Sequence, residues 1–522
     1  MLCVTGKETS VELLQLRLDH VFATARAQEL PTLGDTTGRP AALLQEVRLD
    51  ALTPPVDRVW ALLRRHAPRL LVCCRPAREG GSFIGSETER LRLLEQAAAC
   101  GVAYLDVEAD CDDSTLRALA RISGSTRLVL SEHHFAGIPA DLERRFAALA
   151  NRGVGEVLKL AATVEDAAAL VRLEALRRHA TLPTLLVGMG PAGLLSRCRY
   201  PAFGAPWTYV GADADSHTAP GQLSLEQALQ LGLPASATLP FLAVVGGPQV
   251  TASPGPTVYN RLFRRRGWPW SYFPVITAQP QQAFELLRAH GALGLAVTMP
   301  HKAAALAYAG AGADQRAQQA QAANSLRFGA GGVEATNSDI TGVREPLRAL
   351  LARTSPPAGG TRALVLGAGG AARAAALACR ALDLKVAVSA RREQPARALL
   401  RPDEDFVAWE DRAQDPATVL INATPLTGGD ATPWPTGQPL RKAVVFELAL
   451  GTEPSALLAQ SRAEGAAGIA PQEMWLAQGA EQMSWITGEP VTVDELRDCS
   501  GYQRADATQG RQARRGGEDG RR

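Results

Sequence analysis

Lysine is nearly absent from this chain: of 55 basic residues only five are lysine, at positions 7, 159, 302, 385 and 442. Arginine stays protonated and forms no imine, so such a chain keeps lysine by drift or where a deprotonatable amine is required. Lys159 and Lys302 draw attention because both stand in apolar surroundings at strand or loop ends. No apolar run reaches the roughly 18 residues of a membrane span, and the opening MLCVTGKETS has no signal-peptide pattern. The expectation is a cytoplasmic protein without a membrane partner. Eight cysteines show no C-x-x-C spacing, which argues against disulfides and metal ligation, so no metal is expected. A formal net charge of +2 gives no reason to invoke nucleic acid.

What is present is an alternation. A length of 522 residues suggests about three domains. Up to about residue 235, eight short apolar runs alternate with helical stretches: 2–4, 44–49, 70–74, 102–107, 127–130, 156–160, 182–187 and 207–210. Eight strands alternating with helices over this length predict an α/β fold with an amino-terminal (β/α)8 barrel, whose chemistry lies at the carboxyl ends of the strands. Polar residues gather there: Glu46, Arg48 and Asp50; Arg75 and Glu79; Glu108; Glu132, His133 and His134; Lys159; Ser196 and Arg197; Thr218 and Gln222. So many converging on one face favour a site for a small polyhydroxylated anion.

EVRLD (46–50), CRPAREGG (74–81), SEHHF (131–135), LKLA (158–161), GMGPAGLLSR (188–197) and TAPGQ (218–222) together resemble the type I 3-dehydroquinate dehydratases over residues 1–235. The resemblance implies that Lys159 forms a Schiff base with the substrate ketone and that His133 is general base and acid. It also implies that Arg197 clamps the carboxylate, while Glu46, Arg48, Arg75, Thr218 and Gln222 hold hydroxyls or order the site. Thr218 stands where that family usually has serine, and His134 where it usually has aspartate. The turn-rich Gly34–Pro40 falls in an unusually long interval after the first strand.

Pro234 to Pro240 reads as a short linker into further α/β structure. Near its middle, RALVLGAGGAARAAALACRAL (362–382) reads strand, tight turn, helix. Gly367, Ala368, Gly369, Gly370 and Ala371 form a turn that lets the backbone approach a pyrophosphate, with a helix N-terminus to hold its charge. The next strand runs into Arg391 and Arg392 where an NAD site would carry an acidic residue, which predicts NADP(H) as cofactor.

With VTMPHK (297–302), NSD (337–339) and NATPLTG (422–428), this loop resembles the shikimate dehydrogenases over residues 238–498. The resemblance implies Lys302 and Asp339 as the catalytic pair, Ser253, Thr298, Asn324 and Gln478 on substrate, and Asn422 and Thr424 at the nucleotide. It further implies a substrate-binding domain over 238–345, a Rossmann NADP-binding domain over 346–470, and a helical segment over 471–498 that returns to the substrate domain. The Gly- and Arg-rich 499–522 reads as a disordered tail.

Four positions depart from the second family's pattern. A serine pair is reduced to Ser253-Pro254-Gly255-Pro256, Ala296 replaces Asn or Ser, Leu450 replaces tyrosine, and Glu447 replaces aspartate. Three readings follow. Both halves act in sequence on 3-dehydroquinate, 3-dehydroshikimate and shikimate; the second half takes quinate and 3-dehydroquinate instead; or it is an NADP-binding module without turnover.

Overall fold

The computed structural model describes residues 1–6, 12–18, 21, 43–52, 57–122, 124–213, 215, 217–353, 361–427, 431–451 and 455–502. The Gly34–Pro40 stretch, Lys7, Gly428 and the tail beyond 502 lie outside the described residues. Contacts divide the chain into two units, Met1–Pro256 with Phe263–Ala292, and Thr257–Leu262 with Leu293–Arg522.

In the first unit the apolar runs become β1 (Leu2–Thr5), β2 (Leu43–Arg48), β3 (Leu70–Cys73), β4 (Tyr104–Glu108), β5 (Arg127–His134), β6 (Val157–Thr163), β7 (Thr184–Met189), β8 (Thr208–Gly211) and the short β9 (Leu223–Ser224). They form one nine-stranded parallel sheet in the order β7-β6-β5-β4-β3-β2-β1-β8-β9. Near-continuous apolar runs suit parallel strands covered on both faces. No ladder joins β7 to β8 among the described residues, but their following loops meet at the carboxyl rim, where Gly190 N donates to Pro220 O at 2.9 Å. Gly221 makes that approach possible, since a Cβ there would lie 2.2 Å from Gly190 O.

Side chains alternate across a strand, so every second residue shares a face. Register then aligns the polar ones: Glu108 stands opposite Ser131, Ser131 opposite Lys159, and His133 opposite Ala161. Helix α1 (Glu87–Ala99) follows β3 and starts on a capping box in which Ser86 and Glu89 satisfy each other's backbone N–H groups. The Pro234–Pro240 stretch, read as a linker, holds a 3-10 turn with Ser236 and Ala237 buried and Ser236 Oγ donating to Leu231 O at 2.7 Å. Beyond it the parallel pair β10 (Phe241–Gly246) and β11 (Ser271–Ile276) completes the unit with a helix over Pro280–Ala289.

The second unit begins with β12 (Ala292–Val297), β13 (Ser325–Gly329) and β14 (Gly332–Thr336), paired antiparallel in that order. Helices α2 (Lys302–Ala309) and α3 (Asp339–Leu351) follow β12 and β14. A six-stranded parallel sheet comes next: β15 (Arg362–Leu366), β16 (Lys385–Ser389), β17 (Asp405–Val407), β18 (Val419–Asn422), β19 (Val444–Glu447) and β20 (Ala467–Ile469), in the order β17-β16-β15-β18-β19-β20. That is the doubly wound 3-2-1-4-5-6 order, which reverses between β15 and β18 and opens a crevice at their carboxyl ends. Alanine dominates α4 (Gly370–Arg380), and Ala372, Ala374, Ala375, Ala376 and Ala378 are all buried, so the helix lies close on the sheet. Helix α5 (Pro471–Thr487) packs on α3. Gly342 admits this approach, since a Cβ there would lie 2.8 Å from the Gln478 Cβ.

Candidate active sites

The carboxyl rim of the first sheet holds a cavity of about 610 Å³ including its open mouth, and Glu46, Arg48, Arg75, His133, Lys159, Arg197, Thr218 and Gln222 all line it. The eight residues expected for this half therefore share one pocket.

At its floor Lys159 is buried, and its Nζ donates to Asp106 Oδ2 at 2.9 Å while facing the Tyr209 ring at 4.6 Å. The apolar surroundings inferred for Lys159 are therefore wrong in one respect: the local chain is apolar, but β4 supplies a buried counter-charge across the sheet. Asp106 also takes Arg75 Nη2 at 2.9 Å and the Ser131 hydroxyl at 2.6 Å. Burial works to raise its pKa, but the charges of Arg75 and Lys159 outweigh it and hold the carboxyl well below the usual range.

His133 Nδ1 lies 2.9 Å from Glu79 Oε2, and the same oxygen accepts from the His133 backbone N–H at 3.0 Å. Burial, with the charges of Arg75 and Lys159, pushes the His133 pKa well below its ordinary value, and burial lifts the Glu79 carboxyl to about 7. His133 is thus held as a neutral base whose ring is oriented by Glu79. Arg48 is clamped by both oxygens of Asp50 at 2.9 and 2.6 Å, and Asp50 in turn accepts from the Arg75 backbone at 2.9 Å. Gln222 donates to Thr5 Oγ1 at 2.8 Å and accepts from Thr218 N at 2.8 Å.

Arg197 differs from the other arginines here. It is buried, burial lowers its pKa to about 10, and its Nε has no hydrogen-bond partner. Its only described polar contact is Nη2 to Pro220 O at 3.5 Å. A buried guanidinium without a counter-ion is costly, and an incoming carboxylate would relieve that cost.

Sequence reasoning missed Asp106 and Tyr209 and gave Glu79 no role. Period-two alternation in YLDVE puts Asp106 on the face of Glu108, so the signal for Asp106 was present.

In the second unit, Lys302 at the start of α2 donates to Asp339 Oδ2 at the start of α3. A cation at a helix N-terminus opposes the dipole, and the Asp339 carboxylate offsets this. Asn324 Nδ2 donates to Asp339 Oδ1 at 2.8 Å and to Ser338 Oγ at 2.9 Å, and lies 3.4 Å from Gln478 Oε1. Lys302, Asp339, Asn324 and Gln478 therefore belong to one polar cluster, with Thr298 half-buried on the loop between β12 and α2. Gln482 was not anticipated; one turn along α5 from Gln478, it donates to Ser325 Oγ at 2.8 Å. Ser253 lies in the first unit, where its Oγ accepts from Gly255 N at 3.2 Å.

The glycine loop follows β15 at the switch point. Gly367 has φ +113°, and a Cβ there would lie 2.9 Å from Ala423 O. A Cβ on Gly369 or Gly370 would meet nothing within 4 Å, so the start of α4 has room for a phosphate, with Ala368 and Ala371 beside them. Asn422 Oδ1 accepts from Thr424 N at 3.0 Å and Thr424 Oγ1 at 2.7 Å, while its Nδ2 donates to the buried Glu447 at 2.8 Å. Arg391 and Arg392 are exposed after β16.

A family model for type I 3-dehydroquinase matches residues 7–232, and one for the shikimate dehydrogenase substrate binding domain matches 244–326. A chloroplastic bifunctional 3-dehydroquinate dehydratase/shikimate dehydrogenase from Arabidopsis thaliana is 26% identical over 501 residues, spanning 90% of this chain and 80% of the plant protein. A 3-dehydroquinate dehydratase from Dehalococcoides mccartyi is 31% identical over 206 residues, 39% of this chain and 90% of its own length. A shikimate dehydrogenase (NADP(+)) from a Synechococcus species is 32% identical over 291 residues, 52% of this chain and 98% of its own.

Proposed function

The chain belongs to the type I 3-dehydroquinases over its first half and to the shikimate dehydrogenases over its second, and we propose a division of labour between its residues on that premise. It is a bifunctional enzyme of the shikimate pathway, a lyase and an oxidoreductase in one polypeptide. In our reading, residues 1–235 dehydrate 3-dehydroquinate to 3-dehydroshikimate. Residues 238–345 then bind that product, 346–470 bind NADPH, and 471–498 support the substrate site, giving shikimate. No helix among the described residues is long and apolar enough to cross a membrane, and the proposal sets both reactions in the cytoplasm.

The observation that carries the first assignment is the convergence of eight separately expected residues on one cavity around Lys159. Arg197 pairs with the ring carboxylate, while Glu46, Arg48, Thr218 and Gln222 hold hydroxyls. Lys159 Nζ attacks the ketone carbon, and loss of water leaves a protonated imine. This cation draws electrons from the adjacent carbon, easing transfer of its proton to His133. The electron pair left behind expels the neighbouring hydroxyl, which takes a proton from His133 and departs as water. Hydrolysis of the imine returns the amine. Borohydride with 3-dehydroquinate should label Lys159, and a Lys159→Ala protein that dehydrates at full rate would sink the mechanism.

For the second reaction the open cradle at Gly369 and Gly370 fits a pyrophosphate, and Arg391 and Arg392 suit the 2′-phosphate of NADP(H). When bound, NADPH supplies the hydride. Lys302 delivers a proton to the carbonyl oxygen, Asp339 orients Lys302, and Asn324, Gln478 and Thr298 hold substrate oxygens. The glycine at 255 favours a second reading, in which its missing side chain leaves room for the extra ring hydroxyl of quinate. NADPH oxidation separates the two: turnover with 3-dehydroshikimate alone supports the first, and comparable turnover with 3-dehydroquinate supports the second.

A further inference from the structure

Six side chains of alternating charge run from the barrel surface to the reactive amine. Glu87 is half-exposed on the first turn of α1, and its two oxygens take Arg90 Nε and Nη2 at 2.9 and 2.6 Å. Arg90 is fully buried; its Nη1 donates to Glu108 Oε2 and to Cys74 O at 3.1 Å. The other Glu108 oxygen takes Arg75 Nη1 at 2.9 Å, Arg75 Nη2 reaches Asp106 Oδ1 at 2.9 Å, and Asp106 Oδ2 holds Lys159 at 2.9 Å. Within this series Glu108 and Asp106 each touch two cations, and Arg90 and Arg75 each touch two carboxylates.

The arrangement makes Arg75 a shared resource. Glu108 and Asp106 both draw on it, and Arg90 satisfies Glu108 from the far side. Without Arg90, Glu108 would be a buried anion with Arg75 as its remaining cationic partner, and it would pull that guanidinium away from Asp106. Asp106 would then be left to Lys159 alone, and the ammonium form would be favoured. We propose that Arg90, which does not line the pocket, is a positioning residue of the dehydratase, setting through Glu108 and Arg75 the charge balance that leaves Lys159 able to attack. This rests on the assignment of Lys159 as the imine-forming residue. The other groups around the amine are Tyr209 on β8, whose ring it faces, Cys3 on β1 and His133 on β5, whose electrostatics it influences, and Glu46, Arg48, Glu79 and Arg197, which line the same pocket. None is altered by the substitutions below.

The test is borohydride trapping of the full chain with 3-dehydroquinate across pH, together with kcat and KM. Removing a nearby buried positive charge raises a group's proton affinity and removing a negative one lowers it. Arg90→Met should move half-maximal trapping to higher pH by about half a unit or more, with kcat down about tenfold and KM within about threefold. Glu108→Gln should move it to lower pH, and the double variant should return close to the parent. A structural role alone gives no such opposed shifts. Unchanged pH dependence in both single variants overturns the inference, as does a loss of rate that only tracks a smaller labelled fraction at parental pH dependence. If Arg90→Met does not fold, the neutral pair decides: a double variant trapping at the same pH as Glu108→Gln overturns it. A parent chain that never labels at Lys159 would instead sink the imine assignment itself.

Discussion

Asp106 and Lys159 form an ion pair of 2.9 Å with the carboxylate fully buried, and the same carboxylate is also the counter-charge of Arg75 at 2.9 Å. One anion thus separates two buried cations. Asp106→Asn would leave Arg75 and Lys159 facing each other across a neutral amide. Breaking a buried pair in this way typically costs about 3–5 kcal/mol. Urea denaturation at pH 7 should show a loss of that order for Asp106→Asn; an unchanged midpoint would mean that water compensates the two cations.

The His133–Glu79 pair sets the pH range of dehydration. Burial, reinforced by Arg75 and Lys159, holds the His133 imidazolium pKa well below 6.5. A base with a lowered pKa stays unprotonated further into acid, so dehydratase kcat should hold as pH falls through 6.5 and drop only below it. Because Glu79 sits near 7 and shares the interaction, the measured limb belongs to the pair and not to either group alone. A limb at or above 6.5 that persists in Glu79→Gln would count against a buried, neutral His133.

The parts of this fold written in local pattern were legible in the sequence, and those that depend on register across strands were not. The eight apolar runs became eight strands because parallel strands buried on both faces need unbroken apolar stretches, and the glycine loop was readable because its turn permits little else. Alternation in YLDVE places Asp106 on the face of Glu108, but what Asp106 does there depends on its contact with Lys159 two strands away, which local pattern does not carry. Arg90 sits in SETERLRLL, where it reads as one more solvent-facing helical charge, although it is fully buried. The β13–β14 antiparallel hairpin was also missed, although Gly331-Gly332 marks its turn, because the alternation on either side suggested parallel strands.

Glu447 makes the nucleotide-binding half sensitive to pH. It is buried behind Asn422, and burial lifts its pKa from 4.5 to about 7. A carboxyl raised on folding contributes stability that is complete below its unfolded value, and that contribution is lost as pH rises through the folded value. The window is therefore about 4.5 to 7, and the change is on the order of 3 kcal/mol. Glu447→Gln keeps one acceptor for Asn422 and removes the titration. Its stability relative to the parent should rise steadily across that window, as followed by denaturation at several pH values; parallel curves would show that Glu447 ionises freely.

Lys302 and Asp339 meet at the starts of two helices, and this pair is assigned the proton that accompanies hydride transfer. A positioned acid or base usually contributes about 10²–10⁴-fold. Lys302→Ala should lower kcat for NADPH oxidation with 3-dehydroshikimate by that factor, while trapping at Lys159 is unaffected. Unchanged turnover would move the proton donor elsewhere.

Gly255 tests how the second half grips its ring acid. It is the first residue of the Gly255–Arg265 helix, a conformation serine adopts readily, and its N–H already donates to Ser253 Oγ at 3.2 Å. A hydroxyl restored there adds one hydrogen bond to a carboxylate, worth about 1.5–3 kcal/mol, or roughly 10- to 150-fold in affinity at 1.4 kcal/mol per decade. If 3-dehydroshikimate is the natural substrate, Gly255→Ser should lower its KM by up to that factor with little change in kcat. If the gap at 255 accommodates the extra hydroxyl of a quinate-type ring, the same substitution should raise KM for 3-dehydroquinate and leave 3-dehydroshikimate nearly unchanged. Steady-state NADPH oxidation with both substrates on parent and variant distinguishes the cases, because the first reading requires the KM for 3-dehydroshikimate to fall and the second requires the KM for 3-dehydroquinate to rise while that for 3-dehydroshikimate stays put.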